Sequence, residues 1–390
     1  MKIAHISDLH LGHIRYRRER QGVNQRDIDV ALAFHRAVDD IIAQAPDVVA
    51  ITGDVFDKSH PNNLSIVDTT ATLWRLRRAL PDVPILLVAG NHDLARVIQR
   101  GILLPVFREI PGVTVATDRV LWVEHQGVPF CLVPTGALSK REAYAPRPGA
   151  VLLIHAGLTG RVGIRSGGLQ PSPETIDPNV TGWSYVGLGD WHVAQQVGRR
   201  AWYAGSIEYT SSNPWGELKD EITLRGRSGK GWLLVTLTDG DPLVQFRQIP
   251  LARRHLDFPV MQGAALTAAQ ILAGLERLTA IEQTKDAVVR QVVFDVPRVI
   301  RREVMAHALV RSLKLRCLHF NLDLRAPAKR SIWAPGAEEL HEHDLLPWER
   351  EQAHAARYWE PKDYGHGSGY KPLTPENIAQ QANGFVDPYT

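Results

Sequence analysis

Cysteine is nearly absent from this sequence. Cys131 and Cys317 are the only two in 390 residues, and they stand in unrelated segments without metal-like spacing. A disulfide framework is thereby excluded, and a reducing cytoplasm is the expected setting. Long hydrophobic runs are missing as well. No stretch approaches the roughly 18 apolar residues of a membrane span. The opening MKIAHISDLHLG carries no apolar h-region, so neither export nor membrane insertion is expected. A large surplus of one charge is also lacking, since the formal net charge is +3. With 44% hydrophobic and 22% charged residues, the chain is neither disordered nor collagen-like. Its length makes two or three structural units the expectation.

What charge there is falls unevenly. Residues 287–330 hold 10 Lys/Arg against 3 Asp/Glu, and residues 331–390 hold 4 against 10. A basic segment followed by an acidic tail suggests separate tasks, although each is also what a solvated face looks like.

Short apolar runs recur, and each ends in polar residues. Ile3–Ile6 leads into Ser7, Asp8 and His10; Val48–Ile51 into Gly53, Asp54 and Asp57; Ile85–Ala89 into Gly90, Asn91, His92 and Asp93. Val151–Ile154 leads into His155, and Tyr185–Leu188 into Gly189, Asp190 and His192. Runs of four to six apolar residues bounded by Gly and Asp predict buried strands. Helices are predicted over 27–44 and 64–79, where apolar residues recur three and four apart. In α/β layouts ligands collect at the carboxyl ends of strands. Five strands therefore deliver Asp, Asn and His side chains to one rim.

Carboxylate oxygen and imidazole nitrogen together bind divalent first-row metals. Two such ions about 3.5–4 Å apart activate water and clamp phosphate oxygens. Mg²⁺ usually takes more oxygen and water. The mixed donor set favours Mn²⁺, with Fe²⁺ and Zn²⁺ left open.

The order of these motifs is D-x-H (Asp8, His10), G-D-x-x-D (Gly53, Asp54, Asp57), G-N-H-D (Gly90–Asp93), His155, then G-x-x-H (Gly189, His192). It resembles the five-motif signature of metallophosphoesterases. The connecting sequence resembles the Mre11/SbcD nucleases: GDVFDKSHP, the Arg26-Asp27 pair, YAGSIE at 203–208 and GKGWLLV at 229–235. The likeness covers residues 1–250. It implies an α/β fold, a metallophosphoesterase-type β-sandwich flanked by helices, with a small α+β capping domain and an irregular C-terminal tail. The expected divisions are a nuclease domain over 1–255, a DNA-guiding cap over 260–330 and a tail over 331–390.

The resemblance also implies roles. Asp8, His10, Asp54 and His192 would hold a first metal, Asp54 would bridge, and Asn91 and His155 would hold a second. His92 would act on the substrate rather than ligate. Asp57 and Asp93 would orient the histidines from behind. The family pattern G-H-x-H in the last motif is here Gly189-Asp190-Trp191-His192, so Asp190 stands where a second-metal histidine is expected. An oxygen donor there would favour a harder ion or leave the second site weak. Two divalent ions, Mn²⁺ first, are the expected cofactors.

The implied activity is exo- or endonucleolytic hydrolysis of DNA in repair, beside an ATPase of the Rad50/SbcC kind, with homodimerisation left open. Arg15, Arg17, Arg18 and Arg20, in the loop after the first motif, are candidates for phosphate contacts. Small phosphodiesters such as cyclic nucleotides form the alternative substrate class. A catalytically weak nucleic-acid-binding adaptor is the alternative outside enzymes. His5 is expected to be a packed core histidine, and His13 and His60 ordinary loop histidines. Beyond 260, a helix over 267–282, a strand over 287–296, a helix near 301–314 and a strand near 317–325 are predicted. A helix near 338–358 is an open reading, and Trp333, Trp348, Tyr358 and Trp359 suggest docking onto a surface. His341 and His343 form an H-x-H with no carboxylate motif beside it.

Overall fold

The computed structural model describes residues 1–94, 101–140, 142–158, 175–177 and 181–327. The acidic tail over 331–390, with His341, His343 and its aromatic residues, lies outside the described residues. Met1–Pro327 form one compact unit.

The first four apolar segments, Lys2–Ile6, Val48–Thr52, Ile85–Val88 and Val113–Ala116, are parallel neighbours in one six-stranded sheet. Gly231–Thr236 adds antiparallel beside Lys2–Ile6, and Leu243–Gln248 beside that. The second six-stranded sheet runs in the order 195–196, 201–203, 185–189, 151–155, 128–133, 121–125. Strands here read as continuous apolar runs because both faces are covered. Ile3, Val48, Leu86 and Val88 face Phe130, Leu132, Val151, Leu153 and Tyr185 between the sheets. On the outer face Ala4, Ile6, Val49 and Ile51 pack against Val30, Phe34, Val38, Leu73 and Leu76 of two helices. Each such aliphatic side chain contributes about 1.5–3 kcal/mol on full burial. The arrangement is the β-sandwich flanked by helices that the sequence led one to expect.

The two helices are Gln25–Gln44 and Asn63–Ala79, each opened by an asparagine cap. Asn24 accepts from the Arg26 amide at 3.0 Å, and Asn62 from the Ser65 amide at 2.9 Å. Both caps satisfy amides that the helix itself leaves unpaired.

A third sheet lies later in the chain. Val288–Phe294 is its centre, flanked in parallel by His255–Asp257, Met261–Gln262 and His319–Leu324. The helix Ala268–Ile281 opens with a capping box between Thr267 and Gln270. Where one helix is predicted near 301–314, the structure has two, Arg298–Ala306 and Ala308–Arg316. His307 separates them in an extended conformation, and its Nδ1 caps the second by accepting from the Leu309 amide at 3.2 Å. Among the described residues no helix is long and apolar enough to cross a membrane.

Candidate metal centre

Five strand ends converge, three from one sheet and two from the other. Asp8 and His10 follow Lys2–Ile6, Asp54 follows Val48–Thr52, and Asn91 follows Ile85–Val88. His155 ends Val151–His155, and Asp190 and His192 follow Tyr185–Gly189. Because His155 and Gly189 are paired across neighbouring strands, the last two motifs share one register position.

The donor atoms face one another at short range. His10 Nε2 lies 3.1 Å from His192 Nε2 and 3.6 Å from an Asp54 oxygen. His155 Nε2 lies 3.0 Å from Asn91 Oδ1, 3.5 Å from Asp54 Oδ1 and 3.9 Å from Asp190 Oδ1. Three overlapping groups, Asp8–His10–His192, His10–Asp54–His92 and Asp8–Asp54–His155, each bring three donors within 4.8 Å of one another. Asp8, His10 and Asp54 each belong to two of them.

Backbone strain concentrates here. Asp8, His10 and Asp54 have φ near +50°, and Asp190 has φ +105°. Side chains rarely adopt that region, and where they do the surroundings impose it. Close packing is part of the constraint. A Cβ at Gly53 would sit 2.1 Å from His155 Nδ1, and one at Gly189 would sit 1.8 Å from the Thr52 carbonyl oxygen.

Each histidine is held from behind. His155 Nδ1 donates to the Thr52 carbonyl at 2.8 Å, which leaves Nε2 as the nitrogen facing Asp54 and Asn91. Asp57 lies 3.5 Å from His10 Nδ1 and 2.8 Å from His13 Nδ1. Burial opposes the ionisation of Asp57, yet its bonds to His10 and His13 hold it well below the usual carboxylate range. His13 is therefore buried beside the site rather than an ordinary loop histidine, whereas His60 is exposed and paired only with Ser59.

Asp93 contacts no histidine. It accepts from the amides of Val55, Phe56 and Gly90 at 2.9–3.2 Å, tying the second motif to the third. The sequence assigned it to ring orientation, but three backbone donors fill its oxygens. Burial and the nearby Asp54 raise its pKa to about 6.

The field at the centre favours a cation. Burial alone would lower the pKa of His155, but Asp54, Asp8 and Asp190 outweigh it and push it to about 9. A group of carboxylates that holds a proton on imidazole so firmly offers the same attraction to a divalent ion. Donor types, spacing and charge all fit such ions.

His92 is exposed at the rim, its Nδ1 within 2.6 Å of the Asp57 carbonyl oxygen and its amide donating to Asp54 Oδ1 at 2.9 Å. The candidate phosphate-binding arginines divide. Arg15 donates to the carbonyls of Ser211 and Ser212, and Arg18 to those of Lys314 and Leu315. Both guanidinium groups are engaged with the protein itself. Arg17 and Arg20 are exposed. His5 is fully buried between the sheets, 2.8 Å from both Tyr185 Oη and Thr52 Oγ1.

Sequence reasoning passed over the residues behind His192. Glu217, Lys230 and Glu221 form a buried cluster there, and Arg26 pairs with Glu208 at 3.2 Å beside it. Lys230, Glu208 and Arg26 do fall in segments that drew attention by their resemblance; Glu217 and Glu221 lie on a helix with no motif.

The sequence pattern of the calcineurin-like phosphoesterase family matches residues 1–194. With the sandwich and its His/Asp clusters, this gives residues 1–194 the character of a calcineurin-like metallophosphoesterase domain. Within that class it is Mre11-like. It is 26% identical over 255 residues to the DNA double-strand break repair protein Mre11 of Saccharolobus solfataricus, covering 63% of this chain and 62% of that one. It is 25% identical over 272 residues to the Mre11 protein of Sulfurisphaera tokodaii, covering 65% and 64%. A shorter match, 38% over 95 residues, is to the Mre11 protein of Archaeoglobus fulgidus, covering 24% and 19%. The chain thus spans less than two thirds of the length of the curated relatives it matches.

Proposed function

We propose that this protein is a Mn²⁺-dependent DNA nuclease working beside an ATPase of the Rad50/SbcC kind. The observation that carries the reading is the convergence of Asp8, His10, Asp54, Asn91, His155, Asp190 and His192 from two sheets. The similarity to Mre11 proteins supplies the substrate class.

Asp8, His10, Asp54 and His192 would hold one ion, and Asn91, His155 and Asp190 the other, with Asp54 shared. Two bound ions supply an activated water and offset charge on the phosphate. Burial opposes the charge on Asp54, but His155, His10 and His92 and the His92 amide outweigh it, so the carboxylate stays ionised and in place. His92, anchored through Nδ1 to the Asp57 carbonyl, turns its free edge to the rim and delivers a proton to the leaving oxygen. The sheet centred on Val288–Phe294 would act as the cap that guides DNA, with Arg301 and Arg302 on the helix that follows it. Exposed Arg17 and Arg20 would meet phosphates beyond the scissile one.

One observation favours the second reading, a phosphodiesterase for small substrates. Arg15 and Arg18 are bound to backbone carbonyls, which shortens the basic track leading from the rim. Labelled duplex DNA, single-stranded DNA and a cyclic nucleotide, assayed across a metal series with Asp54→Ala as control, separate the two. Cleavage of DNA with Mn²⁺, lost in the variant, is the expected result. Turnover of the cyclic nucleotide alone would overturn the nuclease reading.

A further inference from the structure

Behind His192 lies a buried arrangement of charge. Glu217 sits in the first turn of the helix Pro214–Arg225, and Lys230 immediately precedes the strand Gly231–Thr236. The Lys230 side chain is 1% exposed, that of Glu217 8% and that of Glu221 0%. An ammonium has three protons, and the structure sets three oxygens around it, two as hydrogen-bond acceptors and one as an ion-pair partner. They are Glu217 Oε2, Glu221 Oε1 at 3.0 Å and the His192 carbonyl oxygen at 2.8 Å. Tyr209 Oη and the Gly229 amide both donate to Glu221 Oε2, at 2.6 and 2.8 Å.

Two carboxylate oxygens are left without a hydrogen bond, Glu221 Oε1 and Glu217 Oε1. Glu217 Oε1 is buried without a hydrogen-bond partner among the described residues, and it lies 3.5 Å from His192 Nδ1, a nitrogen that Thr210 Oγ1 also approaches to 3.5 Å. The other nitrogen of that ring, Nε2, faces His10 Nε2 and Asp8 in the centre. Ion clusters this deeply buried add little net stability compared with apolar packing, because desolvation offsets the attraction. Their presence behind a ring aimed at the centre therefore asks for a functional reason.

We propose that Glu217, itself fixed by Lys230, is a positioning residue for His192. It holds the proton on Nδ1, leaves the Nε2 lone pair facing the centre, and lends the ring a share of negative charge. Lys230 secures both ends of the assembly, the carboxylate through Oε2 and the His192 backbone through its carbonyl. This rests on the reading of His192 as a metal ligand. A ring nitrogen backed by a carboxylate is the better donor, and loss of such a partner typically lowers metal affinity about 10- to 100-fold.

Glu217→Gln makes a sharp test. Lys230 can donate only to the amide oxygen, so the amide nitrogen must turn toward His192 Nδ1 and donate to it. The ring then carries its proton on Nε2, and the lone pair leaves the centre. Nitrogen-15 spectra of the metal-free protein, recorded at a pH where the ring is neutral and with His192 assigned by comparison with His192→Asn, should show the Nδ1–H tautomer. Glu217→Gln should show Nε2–H, and calorimetric titration should give Mn²⁺ binding weakened about 10- to 100-fold. Nε2–H in the native protein would overturn the proposal without any variant. So would unchanged Mn²⁺ affinity in a folded Glu217→Gln. A native protein that shows Nδ1–H but binds no Mn²⁺ would instead overturn the reading of the centre, leaving the tautomer assignment standing.

Discussion

At the scale of single residues, the centre separates groups that hold from groups that act. His92 is exposed and fixed through Nδ1, so His92→Ala should keep bound Mn²⁺ and lose turnover by about 10²- to 10⁴-fold. Lost metal stoichiometry in that variant would make His92 a ligand instead. Asp190 lies 3.9 Å from His155, with its amide donating to Asp8 at 3.2 Å. Asp190→Ala should weaken one ion selectively and reduce activity, and Asp190→His should change the metal preference, because imidazole is a softer donor. Two ions bound unchanged with full activity in Asp190→Ala would exclude it as a ligand. His5 tests burial rather than chemistry. Burial depresses its pKa to about 3, against 6.5 for a free imidazole. Between those values the unfolded chain binds the extra proton, so stability falls as pH drops from 6.5 toward 3, by up to about 1.4 kcal/mol per unit. The His5 ring signals should not titrate between pH 4.5 and 8; a midpoint near 6.5 would mean a hydrated ring. The ligand-type side chains were legible in sequence because each follows a short apolar run locally. Glu217 was not, because nothing near it reveals that residue 192 lies opposite.

At the scale of elements, loops are held by side chains doing backbone work. Asp93 joins the turn after Val48–Thr52 to the turn after Ile85–Val88 through three amides. Asp93→Ala would leave those buried donors unpaired, at about 1–3 kcal/mol each. Thermal unfolding should shift down by several degrees even in metal-free protein; an unchanged midpoint would show that water replaces the carboxylate at no cost. The sequence displays an aspartate after G-N-H, but whether it faces a ring or a row of amides depends on how two turns meet. The same limit hid the break at His307, where no Gly or Pro interrupts the helical pattern. It also hid the carbonyls that Arg15 and Arg18 meet, since charge is visible in a sequence and the groups opposite it are not.

At the scale of the whole molecule, the third sheet is joined to the sandwich by contacts distant in sequence. Tyr16 stacks on His319 at 4.1 Å, Arg253 pairs with Asp29 at 2.8 Å, and the Arg290 guanidinium lies 5.0 Å from the centre of the Trp215 ring. Ions at the centre would add ties of comparable reach, from residue 8 to residue 192. Mn²⁺ at about 100 times its dissociation constant should therefore stabilise the fold by about 2.7 kcal/mol, and a chelator should remove that gain. A melting temperature indifferent to both would mean that the native state gains no binding energy. The division of donors between the two sheets has a consequence during synthesis. A chain still on the ribosome, with fewer than 192 residues emerged, carries Asp8, His10, Asp54 and Asn91 but not His192, so the donor cluster closes only once both sheets have been made.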